Sequence, residues 1–173
     1  MWDFFETVRH RHSIRRFQAE RPVEAEKLHA ILEMAATAPS AGDVQPYRIE
    51  VVASDEARAA LSSAAPAEGF IAEAPVSLVF VAEPARSEAK FGERGAELYA
   101  IQDTTIAAAY AQLAIVAAGM GSTWVGHFDE AAVRGALGIE AGLKPLAILS
   151  LGYPAEFPEP SPRRPLAEMV HHH

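Results

Sequence analysis

The chain contains no cysteine among its 173 residues. This absence excludes disulfide bonds, thiolate nucleophiles, iron–sulfur clusters and zinc sites built on cysteine. Positive charge is also scarce, because 15 lysines and arginines stand against 23 acidic residues, for a formal net charge of −8. A surface of that sign repels the phosphate backbone of nucleic acids, so we expect no nucleic-acid partner.

Targeting signals and long membrane-spanning runs are missing as well. The first residues carry acids and lack a basic region followed by an apolar stretch, which excludes a signal peptide. The most apolar segment lies in a helical pattern that Gln102, Asp103 and Gln112 interrupt, and it is too rich in alanine for a membrane span. We therefore expect a cytoplasmic protein with no membrane partner.

Length and composition predict one compact domain over residues 1–170, and the helices and strands predicted along the chain make it an α+β domain. A chain of 173 residues, 50% of them hydrophobic, is enough for one domain and short for two. The terminal His171, His172 and His173 are interpreted as the remnant of an affinity tag. His10 and His12 have no acidic or further histidine partner nearby in the sequence, so we predict no metal site.

Hydrophobic periodicity predicts a mixture of helices and strands. Helices are predicted at 3–11, from Pro22 to 38, from a Ser54 cap to 64, at 93–119 and from an Asp129 cap to 137, with strands at 47–53, 75–82, 122–126 and 143–151. The strand at 75–82 is almost continuously apolar, as expected when both faces are buried. The segment 152–165 holds five prolines and is predicted to run extended over a surface.

The helix predicted at 93–119 is apolar on nearly every side. Such a helix is expected to be buried centrally, either inside a domain or across a subunit interface. We favour the interface, because a domain of this length has little interior in which to surround the helix.

Three segments carry candidate chemistry. In Arg11-x-Ser13-x-Arg15, alternate side chains of an extended chain point the same way, so two guanidiniums and a hydroxyl would face one anion such as a phosphate. The alternative is a solvated basic turn.

The second segment, residues 39–46, offers the donors and acceptors of Ser40, Asp43 and Gln45 with little bulk to exclude a flat ring. Its alternative is an ordinary surface turn.

The third segment has glycines that permit close backbone approach to a ligand. It reads Gly119-x-Gly121-Ser122-Thr123-Trp124-Val125-Gly126. It is not a dinucleotide fingerprint, and a helix end followed by a strand glycine is the alternative.

Taken in order, these segments resemble the signatures of the nitroreductase family. The run Arg-x-Ser-x-Arg-x-Phe at 11–17 is similar to the family's opening, and residues 38–47 fill its Ala-Pro-Ser-x-x-Asn-x-Gln-Pro-Trp slot. The glycine segment at 119–126, Leu-Gly-Tyr-Pro at 151–154 and Arg-Arg-Pro-Leu at 163–166 follow in family order. The resemblance covers nearly the whole chain.

The resemblance implies an α+β sandwich, with a central, mostly antiparallel sheet flanked by helices, built as an intertwined homodimer with FMN at the interface. The residues implied to hold the phosphate and ribityl chain are Arg11, His12, Ser13, Arg15 and Arg163 or Arg164. Those implied to border the flavin ring from the other subunit are Pro39, Ser40, Ala41, Asp43 and Gln45. Val125, Gly126 and His127 are implied to approach the ring near N5.

The implied activity is ping-pong hydride transfer from NAD(P)H, through FMN, to a nitroaromatic, a quinone or a similar small acceptor. No acid–base pair is required, and His127 is the one catalytic candidate, with a surface histidine as its alternative reading. Two other functions stay open: a specialised flavin oxidase or dehalogenase of the same fold, and a flavin-binding carrier or sensor without turnover.

One residue departs from the family pattern with a chemical consequence. Asp43 stands where the family usually has asparagine, and a carboxylate accepts hydrogen bonds but cannot donate them. It also places negative charge beside a ring that takes up electrons. We therefore hypothesise that Asp43 lowers the flavin midpoint potential relative to the neutral amide.

Overall fold

The structure is a computed structural model, and it describes residues 3–66 and 68–173. Its helices are α1 (Phe4–His10), α2 (Ala25–Ala36), α3 (Asp55–Ser63), α4 (Phe70–Glu73), α5 (Pro84–Arg94), α6 (Ala100–Ala117) and α7 (Glu130–Leu137). Its strands are β1 (Tyr47–Val52), β2 (Val76–Ala82), β3 (Gly121–Val125) and β4 (Lys144–Gly152). Shorter turns are a 3₁₀ turn at Ala41–Asp43, a π turn at Gly95–Tyr99 and a 3₁₀ turn at Leu166–Glu168.

The four strands form one antiparallel sheet in the order β1-β2-β4-β3. Beyond β3, Ser13 makes a parallel bridge to Ser122, and Phe17 makes an antiparallel bridge to Pro154. The basic N-terminal segment is therefore attached to the β3 edge of the sheet. The predicted mostly antiparallel sheet is confirmed.

Helices cover both faces of the sheet. On one face, residues of α2 and α6 such as Ile31 and Ile115 pack with Phe80 and Leu149. On the other face, the helices α3, α4 and α7 pack through Leu61, Ile71 and Val133 against Val79 and Ile148. All seven positions of β2 are buried, as its continuous apolar run predicts. The α+β sandwich is confirmed.

Both predicted helix caps are present. The Ser54 hydroxyl accepts the Ala57 N–H at 3.3 Å, and the Asp129 carboxylate accepts the Ala132 N–H at 3.0 Å. Each satisfies a backbone donor that has no partner within its own helix. The second predicted helix starts at Ala25 rather than at Pro22, one turn later than expected.

The prediction of one helix over 93–119 was wrong at its start. Helix α5 already begins at Pro84, Gly92 interrupts it with a left-handed φ of 63°, and the π turn leads into α6 at Ala100. The sequence pattern misses α5 because its residues are mostly polar. Helix α4 was not predicted either.

Helix α6 packs only one of its apolar sides against the sheet. Ala107, Ala108, Ala111 and Ile115 are fully buried, whereas the Tyr110 residue is 41% exposed. Burial of the second side in a subunit interface stays a prediction. Residues 153–165 run without helix, as the prolines predict. None of the helices described is long and apolar enough to cross a membrane.

Candidate functional site

The basic segment is fixed against β3 through Ile14. The Ile14 N–H donates to the Ser122 carbonyl oxygen at 3.0 Å, and the Thr123 hydroxyl donates to the Ile14 carbonyl oxygen. A Cβ atom added at Gly121 would lie 2.5 Å from the Ile14 Cγ1 atom, closer than any real contact. The segment therefore lies at a distance from the strand that only glycine permits.

The side chains predicted to bind phosphate are available for a ligand. Arg11 is half-buried and Arg15 is exposed. Within residues 3–66 and 68–173, neither guanidinium forms a hydrogen bond or ion pair, and the Ser13 hydroxyl has no hydrogen-bond partner. A half-buried guanidinium without a counter-charge is a favourable partner for a phosphate.

Glu156 is a contributor to this segment that the sequence did not reveal. One carboxylate oxygen accepts the Arg15 N–H at 2.7 Å and the Arg16 N–H at 3.2 Å. The contact holds the backbone and leaves both guanidiniums unpaired. Because Glu156 lies 141 residues from Arg15 in the chain, no local pattern could have predicted it.

A cavity of about 330 Å³ opens beside the segment. His12 and Ile14 line it on one side, and Val116, Gly119 and Met120, from the end of α6 and the turn after it, line the other. The basic segment, residues 11–17, thus lies at the C-terminal end of α6.

The loop 39–46 lies elsewhere and has an unusual backbone. Gly42, Asp43 and Gln45 have left-handed φ angles of 55°, 56° and 47°. Inside the loop, the Ser40 hydroxyl accepts the Gln45 N–H at 3.0 Å. The Gln45 side-chain amide donates to the carbonyl oxygen of Ala36, the last residue of α2, at 2.7 Å. Left-handed non-glycine residues cluster at ligand sites and persist only where their surroundings hold them.

Two charged residues outside the loop bind its backbone. Both carboxylate oxygens of Asp103 accept the Ala41 N–H at 3.1 Å, and the Lys90 ammonium donates to the Gly42 carbonyl oxygen at 2.7 Å. Burial raises the pKa of Asp103, and the hydrogen bond from Ala41 offsets part of that rise. A lone acid within an apolar helix is the sequence signal that could have identified Asp103. No signal pointed to Lys90, because α5 was not predicted.

The strand end at 125–127 can offer a ligand its backbone. The Val125 side chain is buried in the core, at 2% exposure, whereas Gly126 and His127 are exposed. Gly126 lies four residues along β3 from Ser122, which is about 13 Å at the rise of a strand. The basic segment and this exposed strand end therefore lie along the same edge of the sheet.

The tail arginines are not joined to this segment. Arg163 donates to the carbonyl oxygens of Ser161 and Pro162, and Arg164 pairs with Glu168. These are their only hydrogen bonds and ion pairs in the described part of the chain. Their predicted phosphate contact stays a prediction.

A single chain does not bring all the predicted site residues together. The loop 39–46 touches α6 at Asp103, and the basic segment lies against Val116 at the other end of the helix. Thirteen helical residues separate these two contacts, which is about 20 Å. Across residues 3–66 and 68–173, no group of three or more histidine and acidic side chains could hold a metal ion.

The nitroreductase family model matches residues 8–68 and 62–153. A Thermus thermophilus protein named NADH dehydrogenase is 34% identical over 92% of this chain and 91% of its own length. The NADPH:FMN oxidoreductase from Vibrio harveyi, solved with NAD⁺, superposes with a TM-score of 0.88 at 27% identity, over 97% of this chain and 76% of that one.

The likeness extends to a more distant structure. A protein from Exiguobacterium sibiricum, solved in complex with FMN, has a TM-score of 0.93 over 100% of this chain and 98% of its own, at 20% identity. At 20% sequence identity this structure supports the fold alone, whereas the family model and the Thermus relative show that the chain belongs to the family. As the order of its motifs predicts, the chain belongs to the nitroreductase family of oxidoreductases.

Proposed function

We propose that the chain binds FMN and transfers hydride from NAD(P)H to a small electron acceptor, such as a nitroaromatic or a quinone. Residues 1–170 would form a single FMN-binding domain, and a cytoplasmic location stays part of the proposal. Family membership supports this function, as does the similarity to an NADPH:FMN oxidoreductase.

The observation that carries the proposal is the segment on the β3 edge. Arg11, Ser13 and Arg15 present two guanidiniums and a hydroxyl without a protein partner among the described residues, on a backbone fixed by Ile14 and Glu156. This arrangement fits the phosphate of FMN, because guanidiniums form charge-assisted bonds with phosphate oxygens. Arg163 or Arg164 would add charge from the tail, and His12 a backbone contact.

The same edge fits the other end of the cofactor. About 13 Å along β3, Gly126 and His127 form an exposed strand end without a bulky side chain at Gly126, so a flat ring can approach the backbone. Backbone groups of 125–127 would orient the ring. His127 is exposed and would be the one side chain here able to exchange a proton.

When bound, FMN would supply the two-electron chemistry, since it accepts and passes on a hydride. The chain would do the rest. Arg11 and Arg15 would neutralise the phosphate, the β3 edge would fix the ring orientation, and the loop 39–46 would border the ring with Pro39, Ser40, Ala41, Asp43 and Gln45. No acid–base pair is needed for hydride transfer.

The loop would come from a second copy of the chain. Within one chain, the loop lies about 20 Å from the basic segment, residues 11–17, measured along α6. The outward side of α6 is apolar, and a groove of about 490 Å³ lies between Tyr110 and Leu113 of this helix, Phe4 of α1 and Met34 of α2. A homodimer that buries this groove would place the loop of one protomer near the segment of its partner.

Anaerobic reduction tests the function directly. Protein loaded with FMN should be yellow and should be bleached on mixing with NADH or NADPH, and a quinone should restore the colour. Protein that binds FMN but is not reduced by either nucleotide would be a carrier. Protein that takes up no FMN would contradict the proposal.

The phosphate contact can be tested with neighbouring arginines. Arg15→Ala should raise the FMN dissociation constant by roughly 10- to 100-fold, because a hydrogen bond to a charged group is worth about 1.5–3 kcal/mol. Arg16→Ala is the matched control, since it removes the same charge outside the motif. If both variants lose the same affinity for FMN, the loss comes from the change in net charge, and Arg15 does not contact the phosphate.

Sedimentation tests the shared site. The FMN-loaded protein should sediment as a dimer of the 18.6 kDa chain. A monomer that retains FMN would show that one chain completes the site alone.

A further inference from the structure

The loop 39–46 adopts a backbone that it cannot hold unaided. Two of its residues other than glycine, Asp43 and Gln45, have left-handed φ angles of 56° and 47°, and Gly42 between Ala41 and Asp43 has one of 55°. Left-handed conformations are unfavourable for residues with a Cβ atom, so contacts from elsewhere must select them. The bonds of Gln45 to Ser40 and to Ala36 at the end of α2 close the base of the loop but do not hold its tip, Ala41 and Gly42.

Two opposite charges make that attachment. The Asp103 carboxylate on α6 takes the Ala41 N–H with both oxygens at 3.1 Å, and the Lys90 ammonium on α5 donates to the Gly42 carbonyl oxygen at 2.7 Å. Hydrogen bonds in which one partner is charged are the stronger kind. The residues Ala41 and Gly42 are therefore held from the core side by an anion and from the outer side by a cation.

The burial of the Asp103 carboxylate indicates a role other than packing in the core. The residue is only 4% exposed, and its neighbours Ala100, Ala107 and Thr104 on α6 are fully buried. Within the described ranges no cation pairs with its carboxylate, and the Ala41 N–H is its one hydrogen-bond partner. Burial raises the pKa of Asp103 accordingly. A buried carboxylate without a counter-charge is less favourable than an apolar side chain at the same position.

Lys90 and Phe91 of α5 pack closely against Gly42. A Cβ atom added there would lie 2.4 Å from the Lys90 Nζ atom and 2.9 Å from the Phe91 Cζ atom. The Phe91 ring is itself held edge-on against Tyr99 at 5.2 Å between centroids. Helix α5 and the π turn thus form the outer wall of the loop.

We propose that Asp103 is a positioning residue whose carboxylate, by binding the Ala41 N–H, fixes residues 41–45 in the observed conformation, with left-handed φ angles at Gly42, Asp43 and Gln45, that receives the flavin ring. Lys90 completes the attachment from the outer side. This inference rests on the proposed function in one respect, namely that the ligand of the loop is FMN. The role of Asp103 in ordering the loop is a property of the chain without its cofactor.

Hydrogen exchange tests that property on the cofactor-free protein. The Ala41 amide should be protected in the wild type and should lose its protection in Asp103→Ala. Asp103→Asn should keep the protection, because an amide oxygen can also accept this bond. Thr104→Ala is the matched control, since it removes a buried hydroxyl of α6 that donates to the Ala100 carbonyl oxygen rather than to the loop.

FMN titration of the same variants, followed by flavin fluorescence, tests the consequence. If the loop is ordered only about a tenth of the time in Asp103→Ala, its FMN dissociation constant should rise about tenfold, because apparent affinity scales with the competent population. Asp103→Asn and Thr104→Ala should bind as the wild type does. Lys90→Met removes the hydrogen bond to the Gly42 carbonyl oxygen at an exposed position, and it should also weaken binding.

The two proposals fail separately. Wild-type protein that binds no FMN would overturn the proposed function. Wild-type binding together with unchanged FMN affinity and unchanged Ala41 protection in Asp103→Ala would overturn only the role of Asp103. If Asp103→Ala does not fold, an unaltered FMN affinity in Lys90→Met would overturn the attachment of the loop.

Discussion

Gly121→Ala should displace the basic segment, residues 11–17, from the sheet. The added Cβ atom would lie 2.5 Å from the Ile14 Cγ1 atom and 3.0 Å from the Ile14 Cβ atom, whereas ordinary contacts begin at 3.4 Å. Ile14 cannot turn away freely, because both its N–H and its carbonyl oxygen are bonded to β3. The segment must therefore move outward by roughly an ångström, at a cost of about 1–3 kcal/mol typical of an overpacked core.

Two measurements follow from that displacement. Urea unfolding should show the loss of stability, and FMN titration should show an affinity lowered by roughly tenfold or more, since Ser13 and Arg15 move with Ile14. Gly135→Ala in α7 is the matched control, because a Cβ atom there meets nothing within 4 Å. That variant should gain about 0.5–1 kcal/mol from helix propensity and bind FMN normally.

A second substitution separates this mechanism from general damage. Ile14→Ala removes the Cγ1 atom that the new methyl group meets, so the double variant should be more stable than the sum of the two single effects predicts. Strict additivity, or wild-type FMN affinity in Gly121→Ala, would refute the reasoning that the close approach of Ile14 to Gly121 positions the segment.

Two further predictions concern single charges. Asp43→Asn should raise the flavin midpoint potential by roughly 10–30 mV, a small shift because solvent screens an exposed carboxylate; an unchanged or lower value in a redox titration would contradict the hypothesis. Tyr153→Phe removes the hydroxyl that donates to both Glu24 oxygens at 2.8 and 2.7 Å and lowers the pKa of Glu24 from its usual 4.5. The stability advantage of the wild type should be fully present above that value and should vanish as the pH falls through the lowered pKa. Unfolding curves from pH 7 down to about 3 check this, and an advantage independent of pH would rule out the Glu24 contact as its source.

The elements that could be predicted from sequence are those whose cause is local. The caps at Ser54 and Asp129 depend on residues three positions apart, and the buried strand β2 depends on a continuous apolar run. Helix α5 has no such cause. Lys90 and Phe91 of this helix lie against Gly42, which is distant in the sequence. At Gly95, just after the helix, an added Cβ atom would lie 2.4 Å from the Ser87 carbonyl oxygen, so only glycine fits there. The position of α5 therefore depends on tertiary contacts.

The candidate site divides in the same way. The order of its motifs identified the segment 11–17, the loop 39–46 and the strand end at 125–127, because each is a short run of characteristic residues. The residues that hold these runs in place could not be found so. Asp103 lies 62 residues from Ala41, Lys90 lies 48 from Gly42, and Glu156 lies 141 from Arg15. Such pairs become visible only when the fold brings them together.

Helix α6 links the sequence pattern to the proposed function. A helix that packs one side against a sheet needs apolar residues on that side only, yet α6 is apolar on its outward side as well. Its outward Tyr110 is 41% exposed and continues into Met34 at 47% and Phe4 at 66%. A continuous apolar surface of this kind is unfavourable in water and is typical of a contact with another protein. Because the same helix separates the two halves of the candidate FMN site by about 20 Å, a second copy on its outward side would both bury that surface and complete the site.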